Sequence, residues 1–288
     1  MLPTRKLSDA LGIEASGVDL SAPQSDEAFT DIERAFHLGQ ILVFRGQKLN
    51  PAQFVAFARR FGDPEPHVID QFHHPADANV LVLSNVKKEG KATGLADAGS
   101  YFHSDYSYLQ VPARCTMLYS IQVPKTGGDT LFANQQAAYD DLPEAMKRRI
   151  EGLSAIHHYG NRDDLDERSR TAASPLTPGQ KAQMPVVHHR LARVHPRTGR
   201  KALYAVSGSS FGIAGMPEDE AVALLDELKA HATQPKYVYR LKYGVGDVVI
   251  WDNANLLHSA TLIDPEDPRT LWRITVKEKA VQSAALAA

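Results

Sequence analysis

The sequence predicts a mainly β protein with flanking helices (α+β), built around a double-stranded β-helix, or jelly-roll, core. Eight short segments are rich in β-branched and aromatic residues and are bounded by glycine, proline or Asn/Asp clusters, the pattern typical of strands. The helical patterns do not alternate regularly with these strands, which argues against a doubly wound parallel sheet or a TIM barrel. No linker or internal repeat interrupts the chain, so we expect one domain over residues 1–288.

The strands are predicted from short apolar runs that end at turn-forming residues. The predicted strands are Ile41–Arg45, Val80–Val86, Cys115–Val123, Asp129–Asn134, Ala202–Val206, Tyr237–Tyr243, Asp247–Asn253 and Arg269–Lys277. Between the third and the fourth, Lys125-Thr-Gly-Gly-Asp-Thr130 predicts a hairpin turn, which by itself would account for both glycines.

Four helices are predicted from apolar residues at helical spacing and from cap or proline signals. They cover residues 25–38, a segment that begins at Asn50-Pro51, residues 135–152, and a segment that begins at Pro217. Two stretches lack any periodic pattern, residues 87–100 and residues 161–182. Long irregular loops in a compact domain are usually lids or binding loops, so we expect both to be lids over a site.

Composition excludes several kinds of protein. The formal net charge is −2, which gives no reason to expect nucleic acid or an anionic membrane as the main partner. No apolar run approaches the roughly 18 residues of a membrane span. Cys115 is the only cysteine, so no disulfide framework or zinc finger can form within the chain, and a reducing cytoplasm is the expected location. Assembly as a homo-oligomer is left open.

The segment Tyr101-Phe-His-Ser-Asp-Tyr106 carries the first chemical signal. His103 and Asp105 are two residues apart, so on an extended chain both side chains point to the same face and can chelate a metal. An imidazole and a carboxylate suit Fe(II), and a second histidine would complete a 2-His-1-carboxylate face. A His-x-Asp pair alone is also compatible with a surface histidine beside a solvated aspartate.

The C-terminal third supplies further candidates. The apolar strand in Gly246–Asn253 is followed by a polar turn that delivers His258, the proposed third ligand. In the last strand, alternation places Arg269 and Arg273 on one face, opposite Trp272 and its neighbours. Two arginines in a cavity would suit carboxylate binding, whereas on a solvated strand they would be ordinary surface residues.

Taken together, the motifs resemble the taurine dioxygenase and 2,4-dichlorophenoxyacetate dioxygenase family of Fe(II)- and 2-oxoglutarate-dependent enzymes, over nearly the whole chain. The matching blocks are Ile41-Leu-Val-Phe-Arg-Gly46, Phe57-Ala-Arg-Arg-Phe-Gly62, Phe102-His-Ser-Asp-Tyr-Ser107, Thr126-Gly-Gly-Asp-Thr-Leu-Phe132, Val194-His-Pro-Arg-Thr-Gly199, Val249-Ile-Trp-Asp-Asn253 with His258, and Arg269 with Arg273.

The resemblance implies a role for each candidate residue. The three iron ligands are expected to be His103, Asp105 and His258. Thr130 and Arg269 are expected to bind the distal carboxylate of 2-oxoglutarate, the co-substrate used with O2. Arg273 is expected beside the metal-bound carboxylate and the anionic end of the substrate. His67, in its protonated form, is the nearest match to a further substrate-binding histidine there.

The implied reaction is hydroxylation of a small anionic organic molecule, a taurine-like sulfonate or an aryloxy or alkyl acid, with decarboxylation of 2-oxoglutarate to succinate and CO2. The carboxylate of Asp105 favours hydroxylation over halogenation. Asp70 and the segment Gly94–Ser100 stand where taurine-type members carry a tyrosine and an asparagine, which argues against taurine itself. The alternatives are a biosynthetic hydroxylase of an amino acid or another small acid, and a non-catalytic jelly-roll binding protein.

Overall fold

A computed structural model describes residues 2–96, 99–159, 179, 186–207 and 210–277 of the protein. All eight predicted strands are confirmed, with ends shifted by a few residues. The strands of the described part are β1 Thr4–Lys6, β2 Ile13–Ala15, β3 Ile41–Phe44, β4 Asp63–Glu65, β5 His73–His74, β6 Asp77–Ser84, β7 Lys87–Lys88, β8 Lys91–Ala92, β9 Ala113–Gln122, β10 Thr130–Asn134, β11 Ser154–His157, β12 Val187–Arg190, β13 Ala192–Val194, β14 Lys201–Leu203, β15 Ser210–Ile213, β16 Val238–Leu241, β17 Val248–Asp252, β18 Leu256–Ala260 and β19 Thr270–Lys277.

The helices agree with the cap signals in the sequence. They are α1 Asp26–Gly39, α2 Pro51–Phe61, α3 Gln135–Asp140, α4 Glu144–Ile150 and α5 Glu218–Ala232, with short 3-10 turns at Asp70–Phe72 and Pro235–Tyr237. Ser25 caps α1, and Asn50 and Gln53 form a capping box at the start of α2. The predicted continuous helix over 135–152 is wrong. Pro143 divides it into α3 and α4, because proline offers no N–H and disfavours helical backbone in the residue before it.

A nine-stranded sheet forms the centre of the described fold. Its strands follow the order β1-β2-β3-β17-β9-β19-β6-β5, and β4 pairs with β19 at one end. All these pairs are antiparallel except β2 with β3. Several strands that are neighbours in this sheet are far apart in sequence. In particular, β19, which contains Arg273 and directly follows Arg269, lies beside β9.

The large sheet is buried on both faces, so its central strands are apolar throughout rather than alternating. In β3, Leu42 and Phe44 pack in a cluster with the aromatic residues of α1 and α2. Ile41 and Val43 point to the other face, into a second cluster that includes Trp251. The strand face that carries Arg269 and Arg273 is only partly polar, because Leu271, which lies between them on the same face, is fully buried.

A smaller sheet, β16-β10-β18, faces the inner side of the large one. Thr130 begins β10, and β18 carries His258 opposite Phe132. The predicted hairpin turn before Thr130 is wrong, because β9 and β10 belong to different sheets and do not pair. The glycine turn instead carries the chain from one sheet to the other, and Gly127 lies against the backbone carbonyl of Leu262 where a Cβ would have no room.

Of the two segments expected to be lids, the first lies mostly within the described residues and the second lies mostly outside them. The first, 87–100, contains the short hairpin β7–β8, and Leu95 packs beside Leu83 through backbone hydrogen bonds, so this segment is not irregular throughout. The second, 161–182, falls outside the described residues except for position 179. Within the described part, no helix has both the length and the apolar composition needed to cross a bilayer.

Candidate active site

His103 and His258 face each other across a short antiparallel bridge. The backbone N–H of each donates to the carbonyl of the other, at 2.9 Å and 2.8 Å. This exchange of both hydrogen bonds holds the two side chains side by side, with ring centroids 4.2 Å apart. His258 was expected in a turn after an apolar strand. It lies instead within strand β18, which the sequence analysis did not predict.

The tautomer of His103 is fixed by its neighbours. Its Nδ1 donates to the carbonyl of Tyr101 at 2.8 Å, so in the neutral ring Nε2 carries the lone pair. Nε2 lies 3.6 Å from Oδ1 of Asp105. Gly99 supports the ring from behind, where an added Cβ would come within 2.2 Å of Cε1 of His103. The imidazole is thus held with its free nitrogen toward Asp105.

Asp105 is buried and its two oxygens have separate partners. Oδ1 accepts from Arg273 at 2.7 Å, and Oδ2 accepts from the hydroxyl of Thr116 at 2.6 Å. Asn253 braces this arrangement, because its amide donates to Thr116 and its carbonyl oxygen accepts the Asp105 N–H. Burial would raise the pKa of the Asp105 carboxyl, but Arg273 and the two histidines outweigh it and hold that pKa well below its ordinary value.

His258 is a buried, neutral imidazole. Burial, reinforced by His103, lowers its pKa to about 3. Its Nε2 lies 3.5 Å from Oδ2 of Asp105, and its ring packs 4.7 Å from the ring of Trp251. Among the described residues, its Nδ1 has no hydrogen-bond partner. A neutral ring with its Nε2 aimed at a carboxylate can supply a lone pair to a cation.

The donor set fits a divalent iron ion. One atom from each of His103, Asp105 and His258 lies within 4.8 Å of the others, in a buried cluster. Two imidazole nitrogens and one carboxylate oxygen on one side of a metal, with the opposite positions open, are the arrangement typical of non-haem Fe(II) oxygenases. Residues 103–105 are not extended throughout, because His103 forms a β-bridge while a turn begins at Asp105 and continues through Tyr106, whose φ is +55°.

A second group of the same composition, His37, His195 and Asp252, lies elsewhere in the described fold. Nδ1 of His195 accepts backbone N–H groups from Arg197 and Thr198, so the ring proton is on Nε2, which donates to Asp252 at 2.9 Å. A metal that binds this Nε2 would have to replace its proton, although Nδ1 would still have to accept the two backbone hydrogen bonds. The proton placement therefore indicates a structural hydrogen bond between His195 and Asp252, whereas Nε2 of His103 keeps a lone pair for a cation.

One cavity brings together six of the seven candidate residues. Its polar wall consists of His103, Asp105, Thr130, His258, Arg269 and Arg273. The apolar part of the cavity wall includes Leu83, Leu118 and Trp251. Arg269 and Arg273 thus line a cavity, which favours the first of the two interpretations of their pattern.

Arg269 and Thr130 mark the end of the cavity away from Asp105 along β19. The backbone N–H of Arg269 donates to the side chain of Asn85 at 2.8 Å, which fixes the start of the strand. The hydroxyl of Thr130 lies 2.8 Å from the hydroxyl of Tyr243. Tyr243 was missed by the sequence analysis, as were Thr116 and Gly99. No motif marks Tyr243, because its proximity to Thr130 depends on the pairing of β10 with β16.

Arg273 has hydrogen-bond partners within the protein, so its charge is compensated before any substrate binds. One Nη donates to Asp105, and Nε donates to the hydroxyl of Thr275 at 3.2 Å. The guanidinium also lies 5.8 Å from the centre of the Tyr106 ring. Arg273 is thus held by the carboxylate of Asp105.

His67 differs from the expectation. The described wall of the cavity does not include it. Burial and the charge of Arg273 lower the pKa of its imidazole to about 3, so the idea of a protonated His67 is wrong. Its Nδ1 accepts the N–H of Ile69 at 3.1 Å, which leaves the proton on Nε2 as a neutral donor. Its ring lies 5.9 Å from that of Tyr106.

The fold and the cavity define a class of protein: a mainly β chain that encloses the donor set of a mononuclear non-haem iron oxygenase beside two arginines. The chain belongs to the family described as "Taurine catabolism dioxygenase TauD, TfdA family", which matches residues 3–275. It is a 2-oxoglutarate-dependent dioxygenase, which uses Fe(II), 2-oxoglutarate and O2. The predicted class of enzyme is therefore confirmed.

Two relatives and one solved structure illustrate the family. The chain is 38% identical to the alpha-ketoglutarate-dependent 2,4-dichlorophenoxyacetate dioxygenase of Burkholderia sp. (strain RASC), over 91% of this chain and 90% of that one. It is 32% identical to the (S)-phenoxypropionate/alpha-ketoglutarate-dioxygenase of Sphingobium herbicidovorans, over 98% and 96%. The crystal structure of AAD-2 in complex with Mn(II) and N-oxalylglycine has a TM-score of 0.81 and 31% identity, with 97% and 98% coverage.

Proposed function

We propose that His103, Asp105 and His258 bind the iron, and that Thr130 and Arg269 bind the distal carboxylate of 2-oxoglutarate. The observation that carries this proposal is the single cavity that these five residues line together with Arg273. When bound, iron with 2-oxoglutarate and O2 supplies the oxidation: the co-substrate loses CO2 to become succinate, and the substrate is hydroxylated. The protein provides the ligands, the orientation and the exclusion of water.

The ligand residues are prepared for this role before any metal binds. The lone pair of His103 is directed by the carbonyl of Tyr101, and Asp105 is kept ionised by its neighbours. At the other end, the guanidinium of Arg269 can pair with a carboxylate through two parallel hydrogen bonds, to which the hydroxyl of Thr130 adds a third.

The charges in the cavity favour an anionic substrate. Asp105 is ionised, and a histidine that binds a metal does so as a neutral imidazole, so Arg269 and Arg273 leave one net positive charge. Fe(II) adds two positive charges, and the two carboxylates of 2-oxoglutarate remove two. The loaded site keeps one uncompensated positive charge, which a monoanionic substrate beside Arg273 would neutralise. An uncompensated charge in a buried site is costly.

Aromatic side chains beside Arg273 favour an aryl acid over a taurine-like sulfonate. The rings of Tyr106 and Tyr108 have centroids 5.6 Å apart, and those of Tyr108 and Tyr159 are 5.0 Å apart and nearly perpendicular. Such a group can pack against a substrate ring in the edge-to-face or offset arrangements that aromatic pairs prefer. The names of the relatives from Burkholderia and Sphingobium, which refer to aryloxy acids, support the same substrate class.

The proposed substrate is therefore an aryloxy or arylalkyl carboxylate. Hydroxylation of a carbon that bears an ether oxygen gives a hemiacetal or hemiketal, which collapses to a carbonyl compound and a phenol. We further propose that the two facing sheets are a jelly-roll core within one domain over residues 1–288. The segment 87–100 is proposed as a lid, and a reducing cytoplasm as the location, for the reasons that the sequence suggested.

The test is a substrate screen on the wild-type protein and on Arg273→Gln. Succinate formation and phenol release are measured for aryloxy acids, sulfonates, sulfate esters and amino acids, each acid paired with its neutral amide or ester. We expect aryloxy acids to be turned over in preference to their neutral analogues, and Arg273→Gln to reduce that preference. Equal turnover of acids and neutral analogues would contradict the anionic substrate, and a preference for amino acids would favour the biosynthetic alternative.

A further inference from the structure

The hydroxyl of Tyr243 makes a contact that the proposed iron and carboxylate sites do not explain. Tyr243 follows strand β16, which pairs with β10 so that Leu241 is opposite Thr130. Its Oη lies 2.8 Å from Oγ1 of Thr130. The next residue is anchored as well, since the N–H of Gly244 donates to the carboxylate of Asp247 at 2.6 Å. The phenol is thus held beside Thr130, which lines the cavity, by the chain just after β16.

Hydrogen count fixes the direction of this contact once a carboxylate is bound. A threonine hydroxyl has one hydrogen, and a carboxylate only accepts. Thr130 can therefore donate its hydrogen to the carboxylate only if its oxygen accepts the hydrogen bond from the hydroxyl of Tyr243. Burial raises the pKa of the Tyr243 phenol to about 12, so that hydroxyl keeps a hydrogen to give.

We infer that Tyr243 is a positioning residue for 2-oxoglutarate: it donates to Oγ1 of Thr130 and so directs the hydrogen of Thr130 to the distal carboxylate. This inference rests on the proposed function, in which Thr130 and Arg269 bind that carboxylate. The resulting chain runs from Tyr243 through Thr130 to the carboxylate, which also accepts from Arg269. Thr130 and Arg269 line the same cavity, and Tyr243 contacts Thr130 near enough to Arg269 to feel its charge.

Without the phenol hydrogen, the Thr130 hydroxyl is free to rotate and loses its preferred direction. The affinity for 2-oxoglutarate should then fall by about three- to tenfold, the value of one neutral hydrogen bond. The effect should be larger on the KM for 2-oxoglutarate than on kcat or on the KM of the prime substrate, because the phenol is at the co-substrate end.

The first measurement compares Tyr243→Phe with Tyr239→Phe. Both variants remove one tyrosine hydroxyl from the same stretch of chain, but Tyr239 lies near Arg45 rather than Arg269. The 2-oxoglutarate affinity of the Fe(II)-loaded protein is titrated without oxygen through its visible charge-transfer band. We expect weaker binding in Tyr243→Phe and wild-type binding in Tyr239→Phe. Wild-type affinity in Tyr243→Phe, with the iron content unchanged, would overturn the inference.

The second measurement separates a relay from a direct contact. Thr130→Val and the double variant Thr130→Val/Tyr243→Phe are titrated in the same way. If Tyr243 acts through Thr130, the double variant should bind 2-oxoglutarate as weakly as Thr130→Val alone. Additive losses would show a direct contact between Tyr243 and the co-substrate and would overturn the relay.

The two proposals can fail separately. If Thr130→Val and Arg269→Lys both keep wild-type affinity for 2-oxoglutarate, the co-substrate site itself is wrong, and the role of Tyr243 fails with it. If both lose affinity while Tyr243→Phe does not, the co-substrate site stands and only the role of Tyr243 is refuted.

Discussion

Proton positions on single histidines distinguish the two His-Asp groups of this protein. At His103 the Nδ1–H donates to a carbonyl and leaves the lone pair on Nε2, whereas at His195 two backbone N–H groups donate to Nδ1, which places the ring proton on Nε2. Composition alone would rank the groups as equal, since each has two histidines and one aspartate. Only the hydrogen bonds behind the rings indicate which group can accept a metal.

This difference predicts which histidines the iron needs. His103→Ala and His258→Ala should weaken Fe(II) binding by more than about 100-fold, because even the groups that orient metal ligands are worth about 10- to 100-fold in affinity. The charge-transfer band with 2-oxoglutarate, followed anaerobically, should disappear in both variants. His37→Ala is the matched control from the second group and should keep the band. A band retained in both ligand variants would show that the ligand assignment is wrong.

The proposed role of Arg269 leads to a second prediction, on the affinity for 2-oxoglutarate. Arg269→Lys keeps the charge but loses the bidentate pairing, so the 2-oxoglutarate affinity should fall by about 10- to 100-fold, the value of one charge-assisted hydrogen bond. The KM of the prime substrate should change less. Arg240→Lys, on the exposed side of β16 and paired with Asp129, serves as the control. An unchanged requirement for 2-oxoglutarate in Arg269→Lys would remove this residue from the co-substrate site.

Among the structural elements, the segment 87–100 contacts a proposed iron ligand, which its loop-like sequence does not indicate. Its end, at Gly99, lies against the imidazole of His103, and the carbonyl of Gly99 accepts from Ala260 on β18 at 2.8 Å. Gly99 thus ties the segment to the two histidine-bearing parts of the chain. Its φ of +93° and the nearby ring both require a residue without Cβ.

Two glycines of this segment permit a matched test. Gly99→Ala places a Cβ within 2.2 Å of the His103 ring, while Gly90→Ala, at a φ of +76°, meets nothing within 4 Å. Both substitutions strain the backbone, but only the first displaces a proposed ligand. Fe(II) affinity should fall by about 10- to 100-fold in Gly99→Ala and stay near wild type in Gly90→Ala. Equal affinities in the two variants would show that the position of His103 does not depend on Gly99.

For the molecule as a whole, the second His-Asp group is expected to contribute stability instead of catalysis. Asp252 is buried, and His195 and His37 outweigh that burial to lower its pKa from 3.8 to about 2. A carboxyl whose folded-state pKa is lowered stabilises the fold above its unfolded pKa and loses that contribution as pH falls toward the folded value. The shift corresponds to about 2 kcal/mol of unfolding free energy near neutral pH.

The prediction is that the unfolding free energy of Asp252→Asn depends less on pH than that of the wild type between about pH 4 and pH 2. Urea unfolding of the metal-free protein at several pH values measures this difference. Asp9→Asn, at an exposed position, should keep the wild-type slope. Parallel curves for Asp252→Asn and the wild type would contradict a stabilising role for this carboxylate.

The sequence alone determined the family, the reaction class, the eight main strands and six residues of the cavity wall, because strand periodicity and short motifs are local properties of a chain. It also gave the spacing of His103 and Asp105. The strand that carries His258 was missed, because Leu256–Ala260 is recognisable as a strand only through its pairing with β10.

What only the tertiary structure decided concerns partners distant in sequence. Arg273 is held by Asp105, which is 168 residues away, and Thr130 meets Tyr243 across 113 residues. The tautomer of His103, the neutral state of His67 and the support from Gly99 are likewise set by packing. Hydrogen-bond direction and burial depend on what surrounds a side chain in space, and no short segment of sequence contains that surrounding.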